Sequence, residues 1–180
     1  AEEQGRYRAR EIILSGIREA LTRNNFRLLY QPKVNLRTGE IVGAEALIRW
    51  QHPDKGLMSP GKFLPAIEHH NLSISVGEWV LRESLRQMQR WDQQNLELKV
   101  SVNIAALHLQ SEAFPETLTN ILKEFPDINP SRLDLEILES ATLGDLGQAV
   151  ATISACQALG VVFSLDDFGT GYSSLSYLKQ

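Results

Sequence analysis

Cysteine is nearly absent from this sequence. Cys156 is the only one among 180 residues, so no disulfide can form within the chain. That fits a reducing compartment. No apolar run approaches the roughly 18 residues that a membrane-spanning helix needs. The first residues are charged rather than apolar, so no signal peptide is visible. These absences lead us to expect a cytoplasmic segment that makes no membrane contact. Positive charge is not in excess either: 18 Lys and Arg against 22 Asp and Glu give a net charge of -4. Such a balance argues against a nucleic-acid polymer as partner. It leaves open a small anionic ligand, because a bound metal can invert the local field. Internal repeats and low-complexity segments are also lacking.

What is present is an ordinary globular composition at single-domain length, enough for one sizeable core. Ile13, Ile17 and Leu21 recur at four-residue spacing and predict a helix ending near Asn24-Asn25, preceded by a polar lead-in over 1–10. Residues 26–34 and 41–50 read as strands. The Thr38-Gly39 turn signal between them predicts an antiparallel hairpin. Ser59-Pro60-Gly61 predicts a helix start with Ser59 as N-cap and a short helix to about His70. A longer helix over 76–94 carries Val80, Ser84, Met88 and Trp91 on one face. Further strands are predicted over 99–104, 133–138 and 161–165. Between them lie a helix marked by Phe114, Leu118, Ile121, Leu122 and Phe125, and another over 148–159. Val150, Ile153 and Gln157 are spaced along this last helix, and Gly160 stops it. Cys156 reads as inert core, as do Trp79 and Trp91. Alternating helices and strands predict parallel βαβ units, compatible with a doubly wound sheet or a (β/α)8 barrel.

The acids fall at informative places. Asn103 lies near the end of one strand, and Glu136 and Glu139 on or just after another. Asp166-Asp167 closes a third, and Glu45 sits inside an apolar strand. In parallel α/β folds the C-terminal ends of strands build the active site. Two carboxylates about 4 Å apart repel by roughly 4 kcal/mol at an effective dielectric of 20. Gathering several therefore calls for protons or a cation. Asp, Glu and Asn oxygens suit hard ions such as Mg²⁺ or Mn²⁺. No Cys or His cluster competes: His69, His70 and His108 show no ligand spacing and read as surface or helix-end residues, and His52 as structural. The alternative is that each acid is a solvated strand end or a helix cap.

At these residues the sequence resembles the EAL domain family. Glu45-Ala46-Leu47 is the signature tripeptide. It is preceded by Tyr30-Gln31-Pro32 and followed by His52-Pro53 and Pro60-Gly61-Lys62-Phe63-Leu64-Pro65. Val102-Asn103, Glu136-Ile137-Leu138-Glu139 and Asp166-Asp167-Phe168-Gly169-Thr170-Gly171 then appear in family order. The resemblance runs over 26–180, with 1–25 as a lead-in helix. It implies a modified TIM barrel with one antiparallel strand. It also implies a two-metal phosphodiesterase that opens cyclic di-GMP to linear pGpG. The implied metal ligands are Glu45, Asn103, Glu136, Asp166 and Asp167. Gln31, Leu47 and Arg49 would hold the ligand, although Arg49 also reads as a structural ion pair. The implied catalytic set is Glu45, Asp166, Asp167 and Glu139, with Glu139 anchoring the 167–174 loop through which the family forms homodimers.

Some positions depart from the family pattern. Ala105 stands where a Ser is common and Leu138 where a Thr is usual, so two hydroxyls near the site are lost. A later Lys-Ile-Asp motif and a further metal-binding Glu have no counterpart before Gln180. We therefore expect an incomplete barrel with impaired turnover. Gln4-Gly5-Arg6 resembles the tail of a GGDEF cyclase domain, so a GGDEF or sensor neighbour is one reading and a plain helix lead-in the other. The alternative function is a non-catalytic cyclic di-GMP receptor.

Overall fold

The computed structural model describes residues 2–138 and 145–166. Six strands form one sheet: β1 (Phe26–Val34), β2 (Ile41–His52), β3 (Gly56–Met58), β4 (Lys99–Ile104), β5 (Leu133–Leu138) and β6 (Val162–Asp166). The helices are α1 (Glu2–Thr22), α2 (Leu64–Ile67), α3 (Leu72–Asp92), α4 (Ala106–Leu109), α5 (Phe114–Lys123) and α6 (Leu146–Gln157). β1 and β2 form the expected antiparallel hairpin. β2, β4, β5 and β6 then run parallel.

Strand order settles the choice between the two α/β architectures. The sheet reads β1-β2-β4-β5-β6, with β3 added against β2. A doubly wound sheet reverses direction at a switch point; this one never does. Monotonic order with parallel crossovers is the arrangement of a (β/α) barrel wall, here a modified TIM barrel whose first strand runs antiparallel. Alternation along the strands agrees. Ala44, Ala46, Ile48 and Trp50 of β2 are buried, as are Val100, Val102 and Ile104 of β4 and Leu133, Leu135 and Ile137 of β5. These positions face the helices; the residues between them face the barrel interior.

The outer core centres on Phe26. Its ring lies 5.6–6.1 Å from those of Trp50, Phe63 and Trp79. Leu14, Ile17 and Ala20 of α1 belong to the same core. α1 stops at Asn24, which adopts φ 54°, and the loop after α3 turns at Asn95 with φ 60°. Asn tolerates this left-handed conformation better than most residues, so both are helix-stop positions. Arg132 ties three segments together. It forms a bidentate pair with Asp92 at 2.8 and 2.9 Å and donates to the Leu98 carbonyl.

Several local expectations are corrected. α1 spans Glu2–Thr22, so it takes in the polar residues 2–10 that the periodic signal from Ile13 did not reach. The Ser59 start yields a 3₁₀ turn over Pro60–Lys62 and then the separate α2, and the Ser59 side chain caps nothing. In α6 the core face is Ala149, Thr152 and Cys156, whereas Val150 is exposed. The three-residue β3 and the one-turn α4 were too short to show a period. His108 is buried, not on the surface. Gly160 does stop its helix, with φ 97°, and His52 is structural: its Nδ1 accepts from the Asp54 and Lys55 amides.

Candidate functional site

Paired residues in a sheet share a face, so strand register locates the site. Gln31 pairs with Glu45, and Glu45 with Ser101. Ser101 pairs with Asp134, Asn103 with Glu136, and Glu136 with Ser164. All of these face the barrel interior. Glu45 is inward because its neighbours Ala44 and Ala46 are buried against helices, so the period-2 pleat leaves it no other direction. The family-implied Glu45, Asn103 and Glu136 therefore sit on three adjacent parallel strands.

The side chains make direct contact. Asn103 Nδ2 donates to Glu45 Oε1 at 2.9 Å. Glu136 is buried and forms an ion pair with Lys33 Nζ. Lys33 also donates to Ser101 Oγ at 2.6 Å. One pleat nearer the strand starts, Asp134 is held by two hydroxyls, Ser164 Oγ at 2.8 Å and Ser101 Oγ at 3.4 Å. Asp134, in register with Ser101 and Glu45, thus has hydroxyl partners of its own one pleat before Glu136.

Lys33 also reports on curvature. It lies on β1, three strand positions from β5 in the order β1-β2-β4-β5. In a flat sheet that separation is about 14 Å, and side chains stand perpendicular to the sheet. They would not meet. The Lys33–Glu136 pair forms because the sheet curls and the two face each other across its interior. Its partner across the hairpin is Gly43, which presents no side chain in the way. A Cβ on Gly43 would also come within 2.8 Å of the Lys99 carbonyl oxygen, so β2 and β4 approach closely here.

The remaining implied residues divide. Gln31 is exposed on the inner face opposite Glu45, and Leu47 is half-buried opposite Leu29. Arg49 is half-buried and donates to the Ile48 carbonyl at 2.9 Å; among the described residues it makes no ion pair. The Asp166 backbone pairs with Leu138, one pleat beyond the level of Glu136 and Ser164. The Asp166 side chain, Glu139, Asp167 and the 167–174 loop lie outside the described residues.

Does the site suit a divalent cation? Its donors are hard oxygens, and Glu136 already draws an ammonium group as counter-charge. The chemistry fits. Among the described residues no three His, Cys, Asp or Glu side chains gather closely enough to form a complete ligand set. Lys33, Ser101 and Ser164 were missed in the sequence. The available signal was the pleat itself: Lys33 lies two residues after Gln31, and Ser101 two before Asn103.

Among the described residues no helix is long and apolar enough to cross a membrane. The sequence profile described as EAL domain matches residues 15–180. The bifunctional diguanylate cyclase/cyclic di-GMP phosphodiesterase MucR of Pseudomonas aeruginosa is 42% identical over 169 residues, which cover 93% of this chain and 24% of that protein. A cyclic di-GMP phosphodiesterase of the same organism is 36% identical over 177 residues, covering 98% of this chain and 30% of the relative. The chain therefore spans about a fifth to a third of the length of the curated relatives it matches. The solved MucR phosphodiesterase in complex with cyclic di-GMP superposes with TM-score 0.84, covering 92% of this chain and 67% of that one. The Xanthomonas citri FimX EAL domain, also in complex with cyclic di-GMP, gives TM-score 0.83 at 25% identity and covers 97% and 68% of the two chains.

Proposed function

The chain belongs to the EAL domain family, and from that premise we propose that it serves cyclic di-GMP signalling by hydrolysing the cyclic dinucleotide to linear pGpG. The observation that carries the reading is the convergence of Glu45, Asn103 and Glu136 on one face of three adjacent parallel strands. A scaffold with no chemistry gains nothing from a buried carboxylate at that place. The relatives named for cyclic di-GMP and the two complexes with it support the choice of ligand.

The residues take distinct tasks. Glu45, Asn103 and Glu136, with Asp166 and Asp167, would hold Mg²⁺ or Mn²⁺. The ions would supply Lewis acidity at the phosphodiester and a water acidified enough to act near neutral pH. Asn103 fixes the Glu45 carboxylate through its amide hydrogen bond, so the carboxylate is oriented before any ligand arrives. Gln31 lies beside Glu45 on the inner face, where its amide can bond a ligand edge or phosphate oxygen. Arg49 has further guanidinium N–H groups beyond the one bonded to Ile48, and these form a fork for a phosphate. Leu47 supplies apolar contact. We assign Glu139 to anchoring the 167–174 loop, homodimer contacts to that loop, the working compartment to the cytoplasm, and the domain division to 1–25 and 26–180.

The test is turnover by the full-length protein. Incubation with cyclic di-GMP and Mg²⁺ or Mn²⁺ should give pGpG, and a chelator should stop it. Glu45→Gln should lower kcat by about 10²–10³, the usual loss when a preorganised group at the reacting centre is removed. Undiminished turnover in Glu45→Gln, or no product from a sample proven to bind metal, would sink the reading. The latter result would favour a non-catalytic receptor, and calorimetry with cyclic di-GMP in chelator would then show binding without metal.

A further inference from the structure

The Lys33–Glu136 pair is not accounted for by the proposed chemistry. Glu136 is buried, with its side chain only 8% exposed, and a buried carboxylate must be compensated. Lys33 compensates it from across the barrel, while its own side chain remains 41% exposed. Its ammonium also hydrogen-bonds Ser101 Oγ at 2.6 Å. One end of this contact is therefore fixed on β5 and the other is a flexible stem with an open path to solvent.

We infer that Lys33 is the resident counter-cation of Glu136 when no divalent ion is bound, and that it competes with such an ion for the Glu136 carboxylate. Lys33 thereby sets how tightly the site holds metal. The ammonium already neutralises the carboxylate that a hard divalent ion would seek, through Oε1, and it carries the same sign of charge. Two cations on one carboxylate repel each other, so the ammonium weakens the hold on the ion whichever oxygen takes it. The stem is long enough to swing clear, and Gly43 opposite it offers no side chain to block the movement. Lys33 is on this account a positioning residue: it keeps the metal-free carboxylate neutralised and in place, and it raises the metal concentration needed for loading. The inference rests on the reading of Glu136 as a divalent-cation ligand.

Calorimetric titration of the metal-stripped full-length protein with Mn²⁺ and Mg²⁺ tests it without recourse to turnover. Lys33→Met should bind the ions about 10- to 100-fold more tightly, a size typical of changes just outside a ligand shell. Lys33→Arg keeps the charge and should stay near the wild type. If Lys33→Met fails to fold, Lys33→Gln replaces it, since its amide can still bond Ser101 and Glu136 but carries no charge. Thermal unfolding adds a second readout. The neutral variants should melt lower than wild type without metal, and the gap should narrow with metal. Equal or weaker binding in the folded neutral variants would overturn the role of Lys33 and leave the metal site standing. If neither wild type nor neutral variants bind a divalent ion, the metal reading fails as well. If Glu136→Gln binds as tightly as wild type, the ion sits elsewhere and the inference fails with it.

Discussion

At the residue scale, burial decides what a side chain can do, and His108 is the clearest case. It sits in the single turn of α4, its ring packs edge-on against Phe114, and it leaves no room for a Cβ on Gly77 of α3. Among the described residues neither ring nitrogen has a hydrogen-bond partner. Burial pushes its pKa down from 6.5 to about 4, against the opposing pull of Glu78 and the Ile74 and Ala105 carbonyls. The unfolded chain therefore binds a proton below about pH 6.5 that the folded chain refuses until about pH 4. Stability is fully present above pH 6.5 and falls on acidification through that window, by about 1.4 kcal/mol for each pH unit from this residue. Urea titrations at pH 7.0, 5.5 and 4.5 should show a steeper acid loss in wild type than in His108→Gln. Parallel losses would remove His108 as the cause. The same logic makes Cys156 inert: it is fully buried and its thiol pKa is raised to about 11.

At the element scale, close packing turns particular glycines into constraints. α1 crosses β2 so tightly at Gly16 that a Cβ there would lie 2.6 Å from Trp50 Cη2. Trp50 is itself boxed in by Phe26 and Phe63. Gly16→Ala should cost about 1–3 kcal/mol through overpacking, despite the better helix propensity of alanine. Gly5, in the same helix, has nothing within 4 Å of the equivalent position, so Gly5→Ala should be neutral or slightly stabilising. Chemical denaturation of the two variants checks the contrast, and equal effects would mean that α1 is not seated against Trp50. The long elements were legible because their signals were redundant. β4 and β5 fall where their β-branched and apolar runs lie, and α5 where Phe114, Leu118 and Ile121 repeat. Misreadings came where one signal stood alone. Ser59 has the chemistry of a cap, but the chain there makes a 3₁₀ turn and its hydroxyl goes unused. Val150 is apolar, yet α6 is shifted by two residues from its expected limits and buries its smaller side chains instead.

At the scale of the whole molecule, sequence alternation predicts parallel crossovers but cannot choose between an open sheet and a barrel. That choice depends on strand order, a long-range property, and on curvature, which the Lys33–Glu136 contact makes visible. Much the same holds for the site. Glu45, Asn103 and Glu136 were legible from strand-end positions and from family motifs. Lys33 was not, because nothing local marks a lysine as reaching across a barrel. Strand order also predicts a gradient of protection. β2, β4 and β5 are paired on both sides, whereas among the described residues β1 and β6 are paired on one. Amide hydrogen exchange on the 180-residue chain should be slowest in β4 and β5 and faster in β1 and β6. Uniform protection across the five strands would show that something further pairs the edges. The strict pleat of β2 carries a genetic corollary. Loss of a single codon before Ala44 would change composition hardly at all, yet it would turn every later side chain of that strand through half a revolution. Trp50 and Ile48 would swing toward water and acid, and Glu45 into hydrocarbon. A substitution in β2 strikes either the core or the chemistry, while a one-codon deletion strikes both at once.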